Sequence, residues 1–526
     1  MFAKRPTSFR YSLPRRRLQC KALRKQFLAA RVGISHPYNP KFPLTTLLPY
    51  YFMQPGIVFL PHGNLQYSQL RPDRRGWVAH QSYEALFDLS ARHDAPIGFE
   101  ASGETLEIVA ETAPRVLDKL KAGIREGRIE PVASPHTHIM LANIEPEIGL
   151  DSLRNGLDTW ERLTGARPVT GWNPECSWAG FIPDIFRAAG FEALVGDADS
   201  YLLSSVPGLR EATGLRFDVR GHSNKNALFK IEQEIAGQPG ILQTLFRPNL
   251  LPNGLRMILR SDMLCNILLW YLMGATEGNR EQPIQTDEVR ATLARWRDRI
   301  PGGNGFILPY AEDAEYVGTT AYFYVKQFGL ARFFEPAPDS ITRFEETLCV
   351  ARELGYRLMT PRDAVAAYET IPASGFECVE SGCAWHGGTA KAWTNTPHAR
   401  LLDPVCRSVF QGLKAVAAHL GIEEMRRDAE FREIMRRIGT AYVSDARWPP
   451  KPTSPGRFNV AEALSALEQA NHGVEAIMSS RGIAAYRGLY SPGIMRTQIA
   501  AIREELMAMP YFEEQSAISP EPTLST

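Results

Sequence analysis

Two acidic residues follow strand-like segments, at positions where side chains can do chemistry. Ala166 to Trp172 reads as a short buried strand that Pro174 cuts off, and Glu175 comes directly afterwards. Gly305 to Pro309 is a second such strand, and Asp313 follows it closely. In β/α architectures the carboxyl ends of the strands carry the catalytic groups. Two carboxylates in one pocket are what cleavage of a glycosidic bond needs, because one attacks or activates water while the other protonates the leaving oxygen.

Both acids also have ordinary structural interpretations. Glu175 could cap the helix that begins near Trp178, since an acid favours the amino terminus of a helix. Asp313 and Glu315 could be loop acids, although residues two apart in an extended stretch face the same way and both could reach a cleft. Trp172 and Trp178 stand near Glu175 and suit the apolar faces of sugars, which favours the chemical interpretation.

Three histidines form a second constellation. His136 and His138 are two residues apart, so an extended chain would place both rings on one side. Together with His62 they could bind a divalent metal. Asn64, two residues after His62, is a poor metal ligand, and hydrogen bonding at a polar cleft is the alternative interpretation of all three histidines. We expect neither a bound metal nor a cofactor.

Strand and helix patterns alternate from Gly56 to about residue 370. Ile57 to Leu60, Pro96 to Phe99 and Ile129 to Ala133 read as buried strands, and Thr105 to Glu126 reads as one amphipathic helix. Short connections between such elements imply parallel strands joined by right-handed crossovers. Polar residues gather after the strands, as they do at the mouth of a barrel.

The strand count and a later helical stretch define the fold class. About seven strands precede residue 370, which favours an incomplete barrel over a closed eight-stranded one, and from Leu401 onward the periodicity is helical. We therefore predict an α/β protein in which an incomplete (β/α)7 barrel is followed by a C-terminal helical domain. The predicted divisions are a basic, disordered extension over 1–52, a catalytic barrel over 53–370, an irregular cleft-side segment over 371–400, a helical domain over 401–512 and a disordered tail over 513–526.

The basic extension has three interpretations. Residues 1–50 hold eleven Lys or Arg and no acid. An organelle transit peptide has this composition, a basic tail could touch an acidic partner, and an upstream start codon could place the real start closer to Met53. All three interpretations predict local disorder, and we expect a chain that begins at Met53 to fold with unchanged activity.

Charge, hydropathy and cysteine content argue against a nucleic-acid-binding, a membrane-spanning or a disulfide-bonded protein. The net charge is +1, so the chain beyond its basic first 50 residues carries about −10, which argues against a general nucleic-acid surface. No segment reaches the roughly 18 apolar residues of a membrane span. Seven scattered cysteines indicate reduced thiols in a cytosol-like compartment. We expect a cytoplasmic protein that contacts neither nucleic acid nor membrane, and the sequence does not determine its oligomeric state.

These residues resemble glycoside hydrolase family 57, α-glucan-active enzymes with a (β/α)7 barrel and a helical C-terminal region. Five short segments mark that family. Trp172-Asn173-Pro174-Glu175 matches its Trp-x-Pro-Glu segment, and Asp313-Ala314-Glu315-Tyr316-Val317-Gly318 matches its Asp-x-Glu-x-x-Gly segment. The other three are vaguer, and we match them to His62-Gly63-Asn64, to Glu130 through Leu141, and to Trp385-His386.

The resemblance implies a role for each matched residue. Glu175 would be the nucleophile and Asp313 the general acid/base of a retaining α-glycoside hydrolase or transglycosylase, with an oligo- or polysaccharide substrate. Asn64 stands where many members have a second histidine, and Val317 where an aromatic residue is common, so both departures would line the cleft. The substrate-binding residues that it implies are His62, Asn64, His138, Trp172, Asp262, Glu315, Trp385 and His386.

Two other functions stay open at this point. A metal-dependent hydrolase on a similar barrel, such as a zinc α-mannosidase or a polysaccharide deacetylase, would use His62, His136 and His138 as ligands. A non-catalytic glycan-binding protein could also keep the fold.

Overall fold

The alternation of apolar strands and amphipathic helices that the sequence predicts is present in the structure. The computed structural model describes residues 54–67, 70–217, 224, 227–274, 281–321, 334–421, 428–448, 458–483 and 490–509. The predicted extension over 1–52 and the predicted tail over 513–526 lie outside these residues. The strands are β1 (Gly56–Phe59), β2 (His62–Gly63), β3 (Ile97–Ala101), β4 (Ile129–Ala133), β5 (Thr170–Trp172), β6 (Ala193–Asp197), β7 (Asn249–Leu250), β8 (Arg256–Arg260), β9 (Phe306–Tyr310), β10 (Gly318–Thr319), β11 (Pro336–Ala337), β12 (Arg357–Met359), β13 (Ile371–Pro372), β14 (Cys383–Ala384) and β15 (Gly388–Thr389).

Helices connect and cover these strands. Thr105 to Glu126, predicted as one helix, is two helices that meet at Ala113, because Pro114 lacks an amide hydrogen and excludes the residue before it from the helical region. The α-helices are Arg75–Gln81, Tyr83–His93, Gly103–Thr112, Pro114–Arg125, Pro146–Thr164, Ile182–Ala189, Ala198–Ser205, Leu209–Thr213, Phe229–Ile235, Pro239–Phe246, Asp262–Met273, Thr286–Arg299, Pro338–Glu353, Pro361–Ala367, Lys391–Thr394, Pro397–Leu420, Ala429–Ala441, Phe458–Ser480 and Pro492–Met507.

The main sheets are mostly parallel. Eight strands pair in the order β13-β7-β8-β6-β5-β4-β3-β2, and a three-stranded sheet has the order β12-β1-β9. Of the pairs in these two sheets only β7–β8 is antiparallel. His62 of β2 forms an isolated parallel bridge with Asp313 after β9, and this bridge links the two sheets. The residues that follow β2 and β9 are thereby brought together.

Four long C-terminal helices pack on one another and on the sheet-bearing part. Helix Ala429–Ala441 contacts both Phe458–Ser480 and Pro146–Thr164. Directly after it, Val443 forms an antiparallel bridge with Ile139, and the next residue along, Ser444, donates its N–H to the His138 carbonyl oxygen at 2.7 Å. The helical part of the chain therefore reaches the carboxyl end of β4. None of the described helices has the length and apolar character needed to cross a membrane.

Candidate active site

Glu175 stands in a turn that the backbone holds in an unusual conformation. The buried strand β5 ends at Trp172, and Pro174 starts a 3-10 turn in which Glu175 has φ of 57°. Left-handed backbone costs about 1–2 kcal/mol for a residue with a Cβ and persists where the surroundings enforce it. Here the Trp385 N–H donates to the Glu175 carbonyl oxygen at 2.8 Å. The left-handed backbone and this hydrogen bond thus fix the direction of the half-buried Glu175 side chain.

Asp313 is fixed by the backbone that follows β9. The Tyr310 hydroxyl donates to the Asp313 carbonyl oxygen at 2.6 Å, and the His62 N–H donates to the Glu312 carbonyl oxygen at 2.9 Å. Asp313 keeps only 7% of its surface exposed. Backbone hydrogen bonding therefore joins the two loops that carry Asp313 and His62.

His62 is a buried ring held on several sides. Its Nδ1 hydrogen bonds to Glu100, a residue of β3 that the sequence reasoning did not select. The ring stacks on Trp172 with 5.3 Å between centroids and 11° between planes, and Trp385 meets the Trp172 ring edge-on at 5.9 Å. Trp172 is completely buried, so it supports the His62 ring from below. The ring of His138 lies 4.9 Å from that of His62.

Neighbouring charges shift the pKa values of both His62 and Glu175. Burial alone would lower the pKa of His62, but the negative charges of Glu100, Asp313 and Glu315 outweigh it and raise the pKa to about 9. Burial and then the negative charges of Asp445 and Asp313 raise the pKa of Glu175 to about 8, while His62 and a hydrogen bond with Trp385 oppose that rise. Glu175, Asp313 and His62 therefore interact electrostatically in one cleft.

Asp445 is a site residue that the sequence reasoning missed. It lies in the 3-10 turn Asp445–Arg447 after the helix Ala429–Ala441, and its Oδ2 accepts a hydrogen bond from Asn64 Nδ2 at 3.1 Å. Its neighbour Ser444 hydrogen bonds through Oγ to His138 Nδ1 at 3.0 Å. Burial and then the charge of His62 hold the pKa of His138 well below its usual range, so that ring is neutral. No local pattern marked Asp445, because it reaches the cleft only through the long-range pairing of its loop with β4.

Glu315 is completely buried, and its carboxyl group hydrogen bonds to other protein groups. Ala314–Tyr316 is a 3-10 turn, so the expectation that residues 313 and 315 face the same way is wrong. Glu315 Oε1 accepts hydrogen bonds from the Asn64 N–H at 2.8 Å and from the Tyr83 hydroxyl. Burial and then Asp313 raise the pKa of Glu315 to about 8. Glu315 thus fixes the loop after β2 from beneath. Val317, expected to line the cleft, is also fully buried in the core.

Asp262 belongs to a buried ionic network beneath the cleft. Its Oδ1 pairs with Arg260 at 2.8 Å, and its Oδ2 pairs with His386 Nδ1 at 2.7 Å. Arg260 also pairs with Glu312 at 2.6 Å and with Asp197 at 3.3 Å. His386 follows Trp385 in the turn between β14 and β15 and has φ of 59°. The network therefore fixes the turn whose Trp385 N–H holds Glu175.

The three histidines do not form a metal site. The chain bends at His136 and Thr137, and the His136 ring lies between helices, with Nδ1 at 3.3 Å from Thr159 Oγ1 and Nε2 at 3.6 Å from Glu107. The expectation that His136 and His138 share one side is therefore wrong, and so is the metal-ligand set built on it.

Two other sets of side chains in the described part of the chain bring potential ligand atoms within 4.8 Å of one another. They are Asp262 with Glu312 and His386, and Asp262 with Asp197 and Asp199. The first set and Asp197 of the second contact the Arg260 guanidinium or one another, so this cation already supplies positive charge to these carboxylates.

The described residues thus form a helix-rich α/β protein in which a cluster of acidic side chains follows the carboxyl ends of parallel strands. Residues 53–369, more than half of the chain, match glycosyl hydrolase family 57, and the chain belongs to that family.

An α-amylase of Pyrococcus abyssi is 27% identical over 135 residues, and the match spans 25% of this chain and only 20% of the amylase. Two crystal structures share the fold. A branching enzyme of Thermococcus kodakaraensis superposes with a TM-score of 0.55 at 12% identity, over 85% of this chain and 94% of that one. A 4-α-glucanotransferase of Thermococcus litoralis superposes with a TM-score of 0.50 at 16% identity, over 79% of this chain and 58% of that one.

Proposed function

We propose that the protein is a retaining α-glycoside hydrolase or transglycosylase that acts on α-linked glycans. Glu175 would be the nucleophile and Asp313 the general acid/base. The observation that carries this proposal is the convergence of the two loops on His62: its backbone bridges to Asp313, and its ring stacks on Trp172, three residues before Glu175. In keeping with this, Asp313 is one of the charges that raise the pKa of Glu175. The amylase, branching and glucanotransferase activities named for the similar proteins support an α-glucan as the substrate.

The reaction would proceed in two displacements. Glu175 attacks the anomeric carbon while Asp313 gives its proton to the leaving glycosidic oxygen, and a glycosyl ester on Glu175 results. Asp313, now ionised, takes a proton from water or from a sugar hydroxyl, which attacks the ester and restores Glu175. Each displacement inverts the anomeric carbon, so the two together restore its original configuration, and both need the two carboxyl groups about 5–5.5 Å apart.

The surrounding groups suit these roles. The charge of His62 favours the ionised form of Glu175, as a nucleophile requires. Asn64 and His138 provide polar groups for substrate hydroxyls, and Trp385 places an indole beside the same cleft. Trp172, Asp262 and Glu315 would act indirectly, because each is buried and contacts other protein groups.

The strand order is compatible with a barrel that does not close completely. We propose that residues 53–370 form an incomplete (β/α)7 barrel, that 371–400 is a cleft-side segment and that 401–512 is a helical domain. The bridge between His62 and Asp313 supports partial closure, and the Trp385 contact to Glu175 supports the cleft-side assignment.

The experiment that tests the function is activity on a panel of α-linked glucans and aryl α-glycosides, with product anomers followed by NMR. We expect cleavage or transfer with retention, and a loss on the order of 10³-fold or more in Glu175→Gln, because an amide cannot form the glycosyl ester. Glu192→Gln, on the surface at the amino end of β6, is the matched control. Inverted products would contradict the mechanism, and glycan binding without cleavage would favour a binding protein.

A further inference from the structure

Glu100 is a buried carboxylate that the proposed mechanism does not use. It lies in β3, is completely buried, and one of its oxygens pairs with His62 Nδ1. Its other oxygen, Oε1, is buried without a hydrogen-bond partner among the described residues. A buried carboxylate is costly unless it is paired, and truncating one partner of such a pair is strongly destabilising. The only cation with which the described residues pair Glu100 is His62.

The His62 ring can turn very little. Trp172 stacks on one face, the His138 ring lies 4.9 Å away at a tilt, and Trp385 meets the ring edge-on at 6.5 Å. In an imidazole the two nitrogens lie on opposite edges of the ring. Because Glu100 holds Nδ1, the Nε2–H is directed to the opposite side, away from β3.

Acidic side chains from three parts of the fold interact with His62. Glu100 comes from β3, Asp313 and Glu315 from the loop after β9, Glu175 from the loop after β5, and His138 is neutral. Asp445 adds a further negative charge beside Glu175 and Asp313. A fixed positive charge at this point offsets part of their mutual repulsion and favours ionisation of the nucleophile.

We propose that Glu100 is a positioning residue: it locks the His62 ring and keeps it as an imidazolium, whose Nε2–H and charge face the two catalytic carboxylates. The inference rests on the proposed function of the cleft, but the state of the His62 ring can be measured without substrate.

The direct test follows the histidine Cε1–H signals by NMR across pH in the full chain, with His62→Asn used to assign the His62 signal. In the parent protein His62 should stay protonated up to about pH 9. In Glu100→Gln it should lose its proton at least one pH unit lower, because the amide keeps the shape but not the charge. Glu84→Gln is the matched control, since Glu84 pairs with the more exposed His80 at 2.8 Å and should leave His62 unchanged.

A second measurement connects the ring to the cleft. Loss of the His62 charge should raise the pKa of Glu175 further, so the acid limb of kcat/KM in Glu100→Gln should move to higher pH by about one unit, and Glu100→Asp should restore part of the difference. A purely structural role would lower the rate without moving the limb.

The outcomes separate this inference from the proposed function. An active enzyme whose His62 titrates identically in the parent and in Glu100→Gln would overturn the role of Glu100. A shifted His62 in a protein without glycosidase activity would support the role of Glu100 and overturn the proposed function. If circular dichroism shows that Glu100→Gln does not fold, Glu100→Met, which has a similar volume and no charge, replaces it in both measurements, and an unmoved His62 signal there overturns the inference.

Discussion

Replacing Asp445 with asparagine should shift the acid limb of the pH–rate profile to lower pH. The negative charge of Asp445 is, after burial, the first cause that raises the pKa of Glu175 to about 8. A nucleophile works only when ionised, so kcat/KM should rise with pH and reach half of its plateau near pH 8 in the parent protein. Removing the charge makes Glu175 easier to ionise, and the limb must move downward.

The size of the shift follows from the electrostatics of the cleft. A neighbouring charge at a partly buried site shifts the pKa of a carboxyl group by about 1–3 units, and each unit corresponds to about 1.4 kcal/mol. Glu175 is half-buried, and solvent screening reduces this to about one pH unit. At pH 7 the ionised fraction of Glu175 would then rise from about one tenth to about one half, a gain of about fivefold in the active form.

The assay is initial-rate kcat/KM on an aryl α-glycoside between pH 5 and 10, with Asp118→Asn on an exposed helix face as the control. If Asp445 also contacts the substrate, its replacement would lower the plateau of kcat/KM. The pH position of the acid limb would still report only the electrostatic effect on Glu175. An acid limb that stays in place, or moves to higher pH, would refute the charge coupling between the helical part of the chain and Glu175.

Three further expectations concern the same cleft. Asp313→Asn should lose more rate on glycosides with poor leaving groups than on activated aryl glycosides, because an activated group departs without a proton; equal losses on both would remove Asp313 from the acid role. Glu315→Gln should impair both substrates alike and lower the free energy of unfolding by about 1–3 kcal/mol, measured by urea denaturation, since it weakens the hydrogen bonds to Tyr83 and Asn64. EDTA should leave activity unchanged, because Arg260 supplies the positive charge in the acidic cluster, and a loss that zinc restores would contradict this.

Local patterns predicted the elements that carry the site. The strand before Glu175 was expected to end at Trp172 and does so, because Pro174 stops it whatever the tertiary context. The strand Ile129–Ala133 has its expected bounds. Apolar runs of this length between turn residues identify buried parallel strands. Glu175 follows the carboxyl end of β5, and Asp313 follows that of β9, as the sequence patterns predict.

The prediction that residues two apart face the same side was wrong where the chain turns. Residues two apart face the same way only in extended backbone, and both Asp313 to Glu315 and His136 to His138 leave that conformation. Glu315 is consequently buried against Tyr83 and the Asn64 backbone, and His136 lies beside Thr159 and Glu107. Asp445 could not be found from local sequence at all, since a bridge between residues distant in the chain brings its loop to β4.

The central claim is that Glu175 forms the covalent bond to the sugar. A mechanism-based α-glycosyl fluoride with a fluorine at C5, such as 5-fluoro-α-D-glucosyl fluoride, forms the glycosyl ester faster than the ester is hydrolysed. Labelling the full chain with this probe, digesting it and sequencing the peptides by mass spectrometry would identify the modified residue.

The account predicts a single fluoroglucosyl adduct on Glu175, absent from Glu175→Gln and formed in the exposed-surface variant Glu192→Gln. An adduct on Asp313 or Asp445 would reverse the assignment of the carboxylates. An active enzyme that forms no adduct and releases products of inverted configuration would contradict the retaining mechanism itself.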